Sequence, residues 1–449
     1  MDSSEQFLRV EHGGRSVAIC CGGFNYSRAL IGYEADSISA VQHDYAGSHF
    51  TRLGYNRCVQ SKPNQKFYCM KKITCLTLAA VALASAPLAQ AQLSITAMST
   101  FSPNNDGWWA PAEGAYAHLE AASDRQRGLA YGNGELYLVS RAVSTTSIRR
   151  LNSTTGVEVG NLNVTGVTSV GTFGLNKIGV ADDGVIYAAN LVTAAASPGS
   201  PYRVYSWATP ASSPVTNYSG APLAAVRTGD SFSVSGSGSS TRTSTGFQIT
   251  STSAAAGSAG TNGYAIIDPT AGTGTAVSFA GTPPLGGDFR LGLTFGPGGQ
   301  VWGNQGSLAL RETSYSGSTG TLLGTATGLI STAERPMDFA TVNGLNILAT
   351  ASTGDGTVRV YDASNPLALI LLGTKNNILG AANANINAAG DVAFGAQTDN
   401  GNGTTTVQLY ALVTNNGIQA FNVVVPEPAT GALLGVGLSA LVAFRRSRK

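Results

Sequence analysis

The chain has 449 residues, a formal net charge of +2 and 56 glycines, and only 12% of its residues are charged. Between residues 92 and 428 there are 19 acidic and 14 basic residues, so this central part is mildly acidic. A lysine-poor, acidic surface argues against nucleic-acid binding. The same part has no cysteine, which excludes cysteine nucleophiles and Cys/His metal sites there. Abundant Gly, Ser and Thr favour β-structure with many turns.

Residues 1–69 differ from the rest of the chain. They hold four of the five cysteines and show no clean helical or strand periodicity. A bacterial signal peptide does not normally follow such a leader, so we interpret residues 1–69 as a disordered leader that results from a mis-chosen start codon. A small Cys/His metal site is the alternative, but spacings such as Cys20-Cys21 do not fit zinc-site patterns.

A signal peptide is predicted over residues 70–91. It begins with Met70 and two lysines, continues as an apolar run and ends in a small-residue cleavage site. Cleavage after this site leaves a mature chain long enough for one large domain. The residues of the predicted cleavage site are Ala89, Ala91 and Gln92.

Short alternating segments recur along residues 92–422. In "DGTVRVYD" (355–362) an Asp-Gly turn precedes a strand-like alternation, and the segment resembles the closing strand of a WD-type propeller repeat. Similar segments recur about every 50 residues, and nearly all follow a second kind of turn and strand. The recurring segments are "SIRRLN", "YRVYSW", "YAIID", "LALRE" and "VQLYA".

This repeat predicts an all-β fold, a β-propeller of about six blades over residues 92–422. Stacked blades bury one another's apolar faces, and closing the ring removes exposed strand edges. The third unit is obscure because residues 229–260 are rich in Ser, Gly and Thr, which fits an irregular blade or a long loop. A pair of β-sandwiches or a β-helix is the alternative, and a helical protein is excluded because no apolar stripe with helical period occurs.

The start of the mature chain carries a family resemblance. "FSPNNDGWWAPAEGAY", "RGLAYGNGELYLVSR" and "YRVYSW", between Phe101 and Trp207, resemble an uncharacterised family of secreted bacterial β-propeller-like proteins. The resemblance implies architecture and export, and it implies no chemistry because no activity is established for that family.

No catalytic residue is predicted. His118 is the one histidine of the mature part and has no nucleophile motif nearby, so we interpret it as a surface or packed side chain. Glycosidases need only two carboxylates at a set separation, but no single pair stands out. Trp108 and Trp109 are candidates for stacking against a sugar, and packing at the ring closure explains them equally simply.

No cofactor and no metal site are predicted. Asn104, Asn105 and Asp106 offer oxygen donors of the kind that calcium takes. A turn stabilised by the Asn and Asp side chains explains the same residues without a metal.

The last residues, 423–449, combine three features. Val425, Pro426, Glu427 and Pro428 form an extended segment, because proline fixes φ and restricts the residue before it. The apolar stretch 429–444 would span roughly 24 Å as a helix, slightly short of the ~30 Å hydrocarbon core. The basic residues behind it, which include Arg445 and Arg446, would stay on the cytoplasmic side.

These residues resemble the PEP-CTERM sorting signal of Gram-negative bacteria. The resemblance implies recognition by the membrane enzyme exosortase, a transient stay in the inner membrane, and removal of the tail. A plain C-terminal membrane anchor is the alternative.

The sequence thus predicts an exported, non-catalytic protein of the cell surface or the extracellular polysaccharide matrix, whose propeller is a structural or binding module. Its expected partners are exosortase, the inner membrane and extracellular polysaccharide, without nucleic acid. Two alternatives remain. One is a secreted hydrolase or lyase that acts on polysaccharide with carboxylates at the propeller mouth. The other is a carbohydrate-binding module that uses Trp108, Trp109, Trp207 and Trp302.

Overall fold

The structure is a computed structural model. It describes residues 6–12, 15–21, 31–32 and 93–427, except 145, 237–247, 255–261, 270, 281–285, 306–309, 327–329, 332 and 366. The chain divides into two compact units, Met1–Ser85 and Ala86–Lys449.

The first unit contains three antiparallel strands, where the sequence predicted no regular structure for residues 1–69. These are β1 (Gln6–His12), β2 (Arg15–Cys21) and β3 (Ile31–Gly32). The register from Gln6↔Cys21 to His12↔Arg15 places residues 13 and 14 between the two strands of a hairpin. The sequence has glycine at both positions, a dipeptide typical of hairpin turns.

The second unit is a β-propeller, in agreement with the predicted fold class. Two short strands, β4 (Ser94–Ala97) and β5 (Trp108–Trp109), precede the first blade. Blade 1 is the antiparallel sheet β6–β9 and blade 2 is the antiparallel sheet β10–β13. Their strands are β6 (Gln126–Gly132), β7 (Glu135–Ser140), β8 (Ile148–Asn152), β9 (Glu158–Asn161), β10 (Phe173–Val180), β11 (Ile186–Leu191), β12 (Tyr202–Trp207) and β13 (Val215–Gly220).

Blades 3 and 4 are joined into one eight-stranded sheet. The last strands of the two blades, β17 and β21, run parallel, with Phe279 paired to Gly320. A Cβ atom on Gly320 would lie 2.4 Å from the Phe279 ring, so glycine is required for this approach. The strands are β14 (Arg227–Ser235), β15 (Gln248–Ala254), β16 (Asn262–Asp268), β17 (Thr273–Phe279), β18 (Gly292–Phe295), β19 (Val301–Asn304), β20 (Leu310–Ser316) and β21 (Thr319–Ala326).

Blade 5 is another four-stranded meander, and blade 6 closes the ring. Blade 6 takes its first three strands from the end of the propeller and its fourth, β4, from the beginning of the propeller, with Ser94 paired to Val424. This pairing covers part of β28 and joins the two ends of the domain. The strands are β22 (Glu334–Val342), β23 (Leu345–Ser352), β24 (Val358–Asp362), β25 (Ile370–Lys375), β26 (Gly390–Asp399), β27 (Thr404–Val413) and β28 (Gly417–Pro426).

The core consists of six apolar clusters, and each lies between two successive blades. Tyr187 of blade 2 packs with Phe232 of blade 3, for example, and Leu412 of blade 6 packs with Leu129 of blade 1. The last of these contacts returns from blade 6 to blade 1, so the six four-stranded units form a ring. The predicted number of about six blades is confirmed, and the obscure third unit is a blade.

Most of the recurring segments that the sequence revealed are the second and third strands of blades, such as β23 and β24. In blade 6 the pattern is displaced, and "VQLYA" belongs to the second strand, β27. The displacement arises because the fourth strand of this blade comes from the other end of the domain. Strand β28 also continues to Pro426, past the predicted domain boundary at residue 422.

In the described parts of the propeller, helical structure is limited to short 3-10 turns at Glu113–Ala115, Gly286–Phe289 and Pro297–Gly299. Within the part of the chain that the structure describes, no helix has the length and apolar character needed to cross a membrane. The predicted signal peptide at 70–91 and the predicted sorting helix at 429–444 lie outside the described residues.

Candidate functional site

A central channel is formed by the first strand of each blade. Strands β6, β10, β14, β18, β22 and β26 lie side by side in this order, and β26 contacts β6 again. A cavity of about 290 Å³ lies among them. Each of the six strands contributes apolar residues to its wall, and the wall also has polar residues, namely Asp182, Ser233, Thr294, Asp338 and Gln397.

Asp338 is the partly buried carboxyl group of the cavity wall. One of its oxygens, Oδ2, accepts a hydrogen bond from the backbone N–H of Phe394 on the next blade at 2.8 Å. The other accepts from the N–H of Phe339 at 2.9 Å. Burial raises the pKa of Asp338 to about 7, although the two backbone hydrogen bonds act in the opposite direction. Near neutral pH this carboxyl therefore exchanges a proton.

Asp391 and Lys177 form an ion pair deeper in the ring. The Lys177 Nζ lies 3.4 Å from Oδ2 of Asp391, which also accepts the backbone N–H of Leu129 at 3.1 Å. Burial raises the pKa of Asp391 to about 6, while Lys177 lowers it. Burial also lowers the pKa of Lys177. Lys177 additionally donates to the carbonyl oxygen of Gly390, which leaves its charge well coordinated.

Five arginines lie at or near the starts of the first strands, and we call them the arginine cluster. They are Arg127, Arg141, Arg227, Arg290 and Arg335. Arg227 and Arg290 share one carboxylate, that of Asp230, which Arg290 approaches to 3.2 Å. Because Asp230 and its two arginines lie on blades 3 and 4, this bridge also connects the two blades.

Arg127 and Arg141 occupy a different environment in the arginine cluster. Both guanidinium groups lie over the ring of Phe173, with Cζ 4.9 Å and 3.4 Å from its centroid. Both donate to the backbone carbonyl of Asp124, at 3.0 Å and 3.1 Å. The carboxylate of Asp124 instead accepts from the amides of Asn387 and Asn415. Within the described residues, neither arginine forms a salt bridge.

Burial leaves unsatisfied donors in the arginine cluster. The Nε atoms of Arg141 and Arg335 are buried and have no hydrogen-bond partner in the described ranges. Burial lowers the pKa of Arg141 to about 10, and the charge of Arg127 lowers it further. Burial and the neighbouring Arg290 lower the pKa of Arg335. The unpaired Nε atoms and the lowered pKa values of Arg141 and Arg335 all indicate that the protein compensates these guanidinium charges incompletely.

Trp108 and Trp109 lie in β5, which pairs with β28 beside the ring closure. Trp109 is only 5% exposed, and its ring stacks on Tyr116 at a centroid distance of 4.4 Å. The Nε1 of Trp108 donates to the backbone oxygen of Asn416 at 2.8 Å. Packing at the closure, one of the two interpretations of this pair, agrees with these contacts, and Trp109 has no exposed face for a sugar.

The other two tryptophans are also in the core. Trp207 and Trp302 are fully buried, in blades 2 and 4. With Trp109 they leave Trp108 as the one partly exposed tryptophan ring of the protein. The proposed platform of two coplanar, exposed rings is therefore absent from the described tryptophans, which include all four in the chain.

His118 lies between β5 and β6, and the turn of Asn104, Asn105 and Asp106 lies just before β5. His118 packs against Tyr116 with centroids 5.4 Å apart, and burial lowers its pKa to about 4. Asp106 accepts hydrogen bonds from the Ser102 hydroxyl at 3.0 Å and the Trp108 N–H at 2.9 Å. In the parts that the structure describes, no group of three or more His, Cys, Asp or Glu side chains is arranged to hold a metal ion.

The sorting motif begins inside the propeller. Val425 is fully buried in β28, and Pro426 is paired with Thr404 at the end of the same strand. The exposed Glu427 donates its backbone N–H to Gly403 at 2.8 Å. The remaining predicted processing residues lie outside the described residues, and these are Ala89, Ala91, Gln92, Pro428, Arg445 and Arg446.

Sequence reasoning missed the channel residues. Asp338, Asp391, Lys177 and the arginine cluster all belong to first strands or their flanks, whereas the visible repeat followed mostly second and third strands. One signal was available, namely a charged residue inside or just before a glycine-containing strand in most blades, as in "FGLNKIGV" and "RTGDSFSVS". That signal is too weak to identify without the register of the blades.

The chain is similar to several solved structures, of which the first supports the fold. A DUF4623 family protein from Bacteroides eggerthii is similar with a TM-score of 0.51 and 15% identity, over 95% of this chain and 84% of that chain. The Malassezia sympodialis allergen Mala s 1 is similar with a TM-score of 0.43 and 11% identity, over 69% of this chain and 95% of that one. A PQQ-bound aldose sugar dehydrogenase from Streptomyces coelicolor is similar with a TM-score of 0.41 and 14% identity, over 74% of this chain and 99% of that one.

No curated protein matches the sequence. Residues 86–278 match a domain of unknown function, DUF4623, and residues 424–449 match the PEP-CTERM protein-sorting motif. The first match covers blades 1 and 2 and nearly all of blade 3, and the second begins in the last strand of blade 6. Residues 86–278 are therefore similar to the DUF4623 domain, the fold is a β-propeller, and residues 424–449 match the PEP-CTERM sorting motif.

Proposed function

We propose that this protein is a non-catalytic binding or structural module of the cell surface or extracellular polysaccharide matrix. The PEP-CTERM motif indicates an exported protein that exosortase sorts to the cell surface or extracellular space. What the propeller does after sorting is the proposed part. The proposed role depends on the contacts that the carboxyl groups of the first strands make.

The observation that carries the proposal is that the carboxyl groups on the first strands of blades 5 and 6, Asp338 and Asp391, are engaged in holding blades together. Asp338 of blade 5 accepts a backbone N–H of blade 6 at 2.8 Å, and Asp391 of blade 6 accepts one of blade 1 at 3.1 Å. A general acid or nucleophile must instead turn its oxygen toward the substrate. Since releasing these oxygens would leave buried N–H groups unpaired, the arrangement favours a structural role.

The proposal is tested with the full-length protein purified from its producing cells. We expect the protein to sediment with extracellular polysaccharide from the same cells, and the number of reducing ends in the polysaccharide to stay constant. A steady increase in reducing ends, or in unsaturated products that absorb ultraviolet light, would show that the propeller is a hydrolase or a lyase. Absence from the sedimented polysaccharide and from the cell surface would also contradict the proposal.

A polysaccharide-active enzyme is the second candidate, because the pKa of Asp338 is raised to about 7 in the cavity wall. A carboxyl with such a pKa can act as a general acid near neutral pH. If Asp338 is the general acid, Asp338→Asn would abolish the formation of new reducing ends in the polysaccharide. The control Asp362→Asn, at the end of the third strand of blade 5, would leave it unchanged. Equal product formation by both variants would exclude Asp338 as the acid.

A further inference from the structure

The arginine cluster has more positive charge than its protein partners compensate. Arg227 and Arg290 are paired with Asp230, but Arg127, Arg141 and Arg335 have no carboxylate partner among the described side chains. Arg127 is only 4% exposed. Buried arginines are normally paired, because an uncompensated charge in a poorly hydrated place is costly. The ring of Phe173 compensates Arg127 and Arg141 in part.

The members of the arginine cluster are electrostatic neighbours. Arg127 interacts with Asp124, Arg227 and Asp230. Arg141 is repelled by Arg127 and Arg125 and attracted by Asp124. Arg335 is repelled by Arg290, which in turn bonds to Asp230. Asp230 therefore interacts with Arg127 and bonds to Arg290, the neighbour of Arg335. Lys177 also interacts with Arg127 and Asp230, but its charge is taken up by Asp391.

Two buried nitrogen atoms show which guanidinium groups are incompletely paired, and a ligand would reach these groups at the exposed parts of their side chains. The Nε atoms of Arg141 and Arg335 are buried without a partner in the described part of the protein. Yet both side chains are partly exposed, as are those of Arg227 and Arg290, so the cluster can be reached from solvent. A guanidinium group presents a planar fork of donors that matches the two oxygens of a carboxylate.

We propose that the arginine cluster is a binding site for the carboxylate of a uronic acid in an acidic polysaccharide. This inference rests on the proposed function and names the chemical class of its ligand. A carboxylate supplies the negative charge and the paired acceptors that Arg141 and Arg335 lack. Uronic acids carry a carboxylate as units of extracellular polysaccharides. The neutral parts of such a polysaccharide can contact the rim of the channel.

The test is isothermal titration calorimetry of the full-length protein with oligogalacturonate at low salt, where ionic contacts are least screened. Neutral oligogalactose and free galacturonate serve as comparison ligands. We expect binding of oligogalacturonate that weakens with added salt, weaker binding of the free sugar acid, and no binding of the neutral oligomer. Equal binding of the neutral oligomer, or no binding of oligogalacturonate, would overturn the proposed site.

Substitutions assign the binding to the arginine cluster. Arg335→Gln and Arg141→Gln each remove one guanidinium charge and should weaken oligogalacturonate binding by about tenfold or more. Lys375→Gln, which removes a charge from the outer strand of blade 5, is the matched control and should bind like the unsubstituted protein. Unchanged affinity in both arginine variants, with unfolding temperatures equal to that of the control, would refute the inference.

The two proposals fail separately. Sedimentation with native polysaccharide that does not depend on Arg141 or Arg335 would leave the proposed function intact and exclude the arginine cluster as its site. Suppose instead that the protein forms new reducing ends from oligogalacturonate, and that Asp338→Asn abolishes this activity while it binds the ligand with normal affinity. This result would refute the non-catalytic role and retain the carboxylate site.

Discussion

Lys177 of blade 2 and Asp391 of blade 6 form an ion pair although blade 1 lies between their blades, with 3.4 Å between Nζ and Oδ2. Asp391 also accepts the backbone N–H of Leu129 in blade 1. One carboxylate thus connects three successive blades at the point where the ring returns to its start. The side chains of the pair are only 5% and 14% exposed, so the contact belongs to the interior of the protein.

Removing one member of this pair should destabilise the propeller strongly. Lys177→Met leaves Asp391 as an unpaired buried carboxylate, and such a change costs about 3–5 kcal/mol of unfolding free energy. The double variant Lys177→Met/Asp391→Leu removes both charges and should recover much of this loss. Urea unfolding followed by tryptophan fluorescence measures both effects. A double variant less stable than the single one would show that the pair does more than neutralise two buried charges.

The stability of the protein should fall as the pH rises from about 4 to 7, relative to that of Asp338→Asn. Burial raises the folded-state pKa of Asp338 to about 7, so the folded state retains a proton that the unfolded state has already lost. The stabilisation is complete below the ordinary pKa of aspartate, and it is lost as the pH rises through the folded value, by at most about 1.4 kcal/mol per pH unit. Urea unfolding of both proteins at several pH values provides the comparison. Parallel pH profiles would show that the Asp338 pKa is not raised.

The closing strand β4 should be sensitive on one face only. Ile95 packs against the apolar cluster between blades 5 and 6, whereas the adjacent Thr96 is exposed. Ile95→Asp places a charge in this cluster and should lower stability by roughly 1–3 kcal/mol, which corresponds to several degrees in unfolding temperature. Thr96→Asp, with the same charge on the opposite face, should have little effect. Equal melting temperatures of the two variants would contradict the observed pairing of β4.

Changes in the sorting motif should affect processing without affecting the fold. The Glu427 side chain is exposed, and the bond from residue 427 to Gly403 uses its backbone N–H. Glu427→Ala should therefore leave the full-length form in the inner membrane, and its unfolding temperature should not change. Asp399→Ala, an exposed carboxyl of the same blade, is the control. Immunoblots of membrane and extracellular fractions show the outcome, and normal processing of the Glu427 variant would argue against its role in recognition.

The sequence predicted the strands whose alternation is visible locally. In β24, "VRVYD", Val358 and Val360 pack between blades 5 and 6, and Tyr361 on the other face packs between blades 4 and 5. The first strands escaped detection for a physical reason. Strand β10 contains Gly174, Gly179 and the buried Lys177, because it contacts both adjacent blades and the channel. The two glycines and the lysine interrupt the alternation of apolar and polar residues by which a strand is recognised in a sequence.

The candidate site was beyond reach of the sequence for a different reason. Arg127, Asp230 and Arg335 lie on different blades, and they become neighbours only when the ring is formed. Their individual surroundings in the sequence, such as "RTGDSF", suggest no chemistry. The four residues of β4 are likewise too few to show that they belong to the last blade.

The pairing of Thr96 with Asn422 joins positions 326 residues apart. Contacts of such long range are slow to form, because nearly the entire domain must be ordered between them. Blade 6 lacks its outer edge until β28, the last strand to be synthesised, meets β4. A chain in which either β4 or β28 is not yet available therefore cannot complete its ring, so the domain is finished only when both of its ends are present.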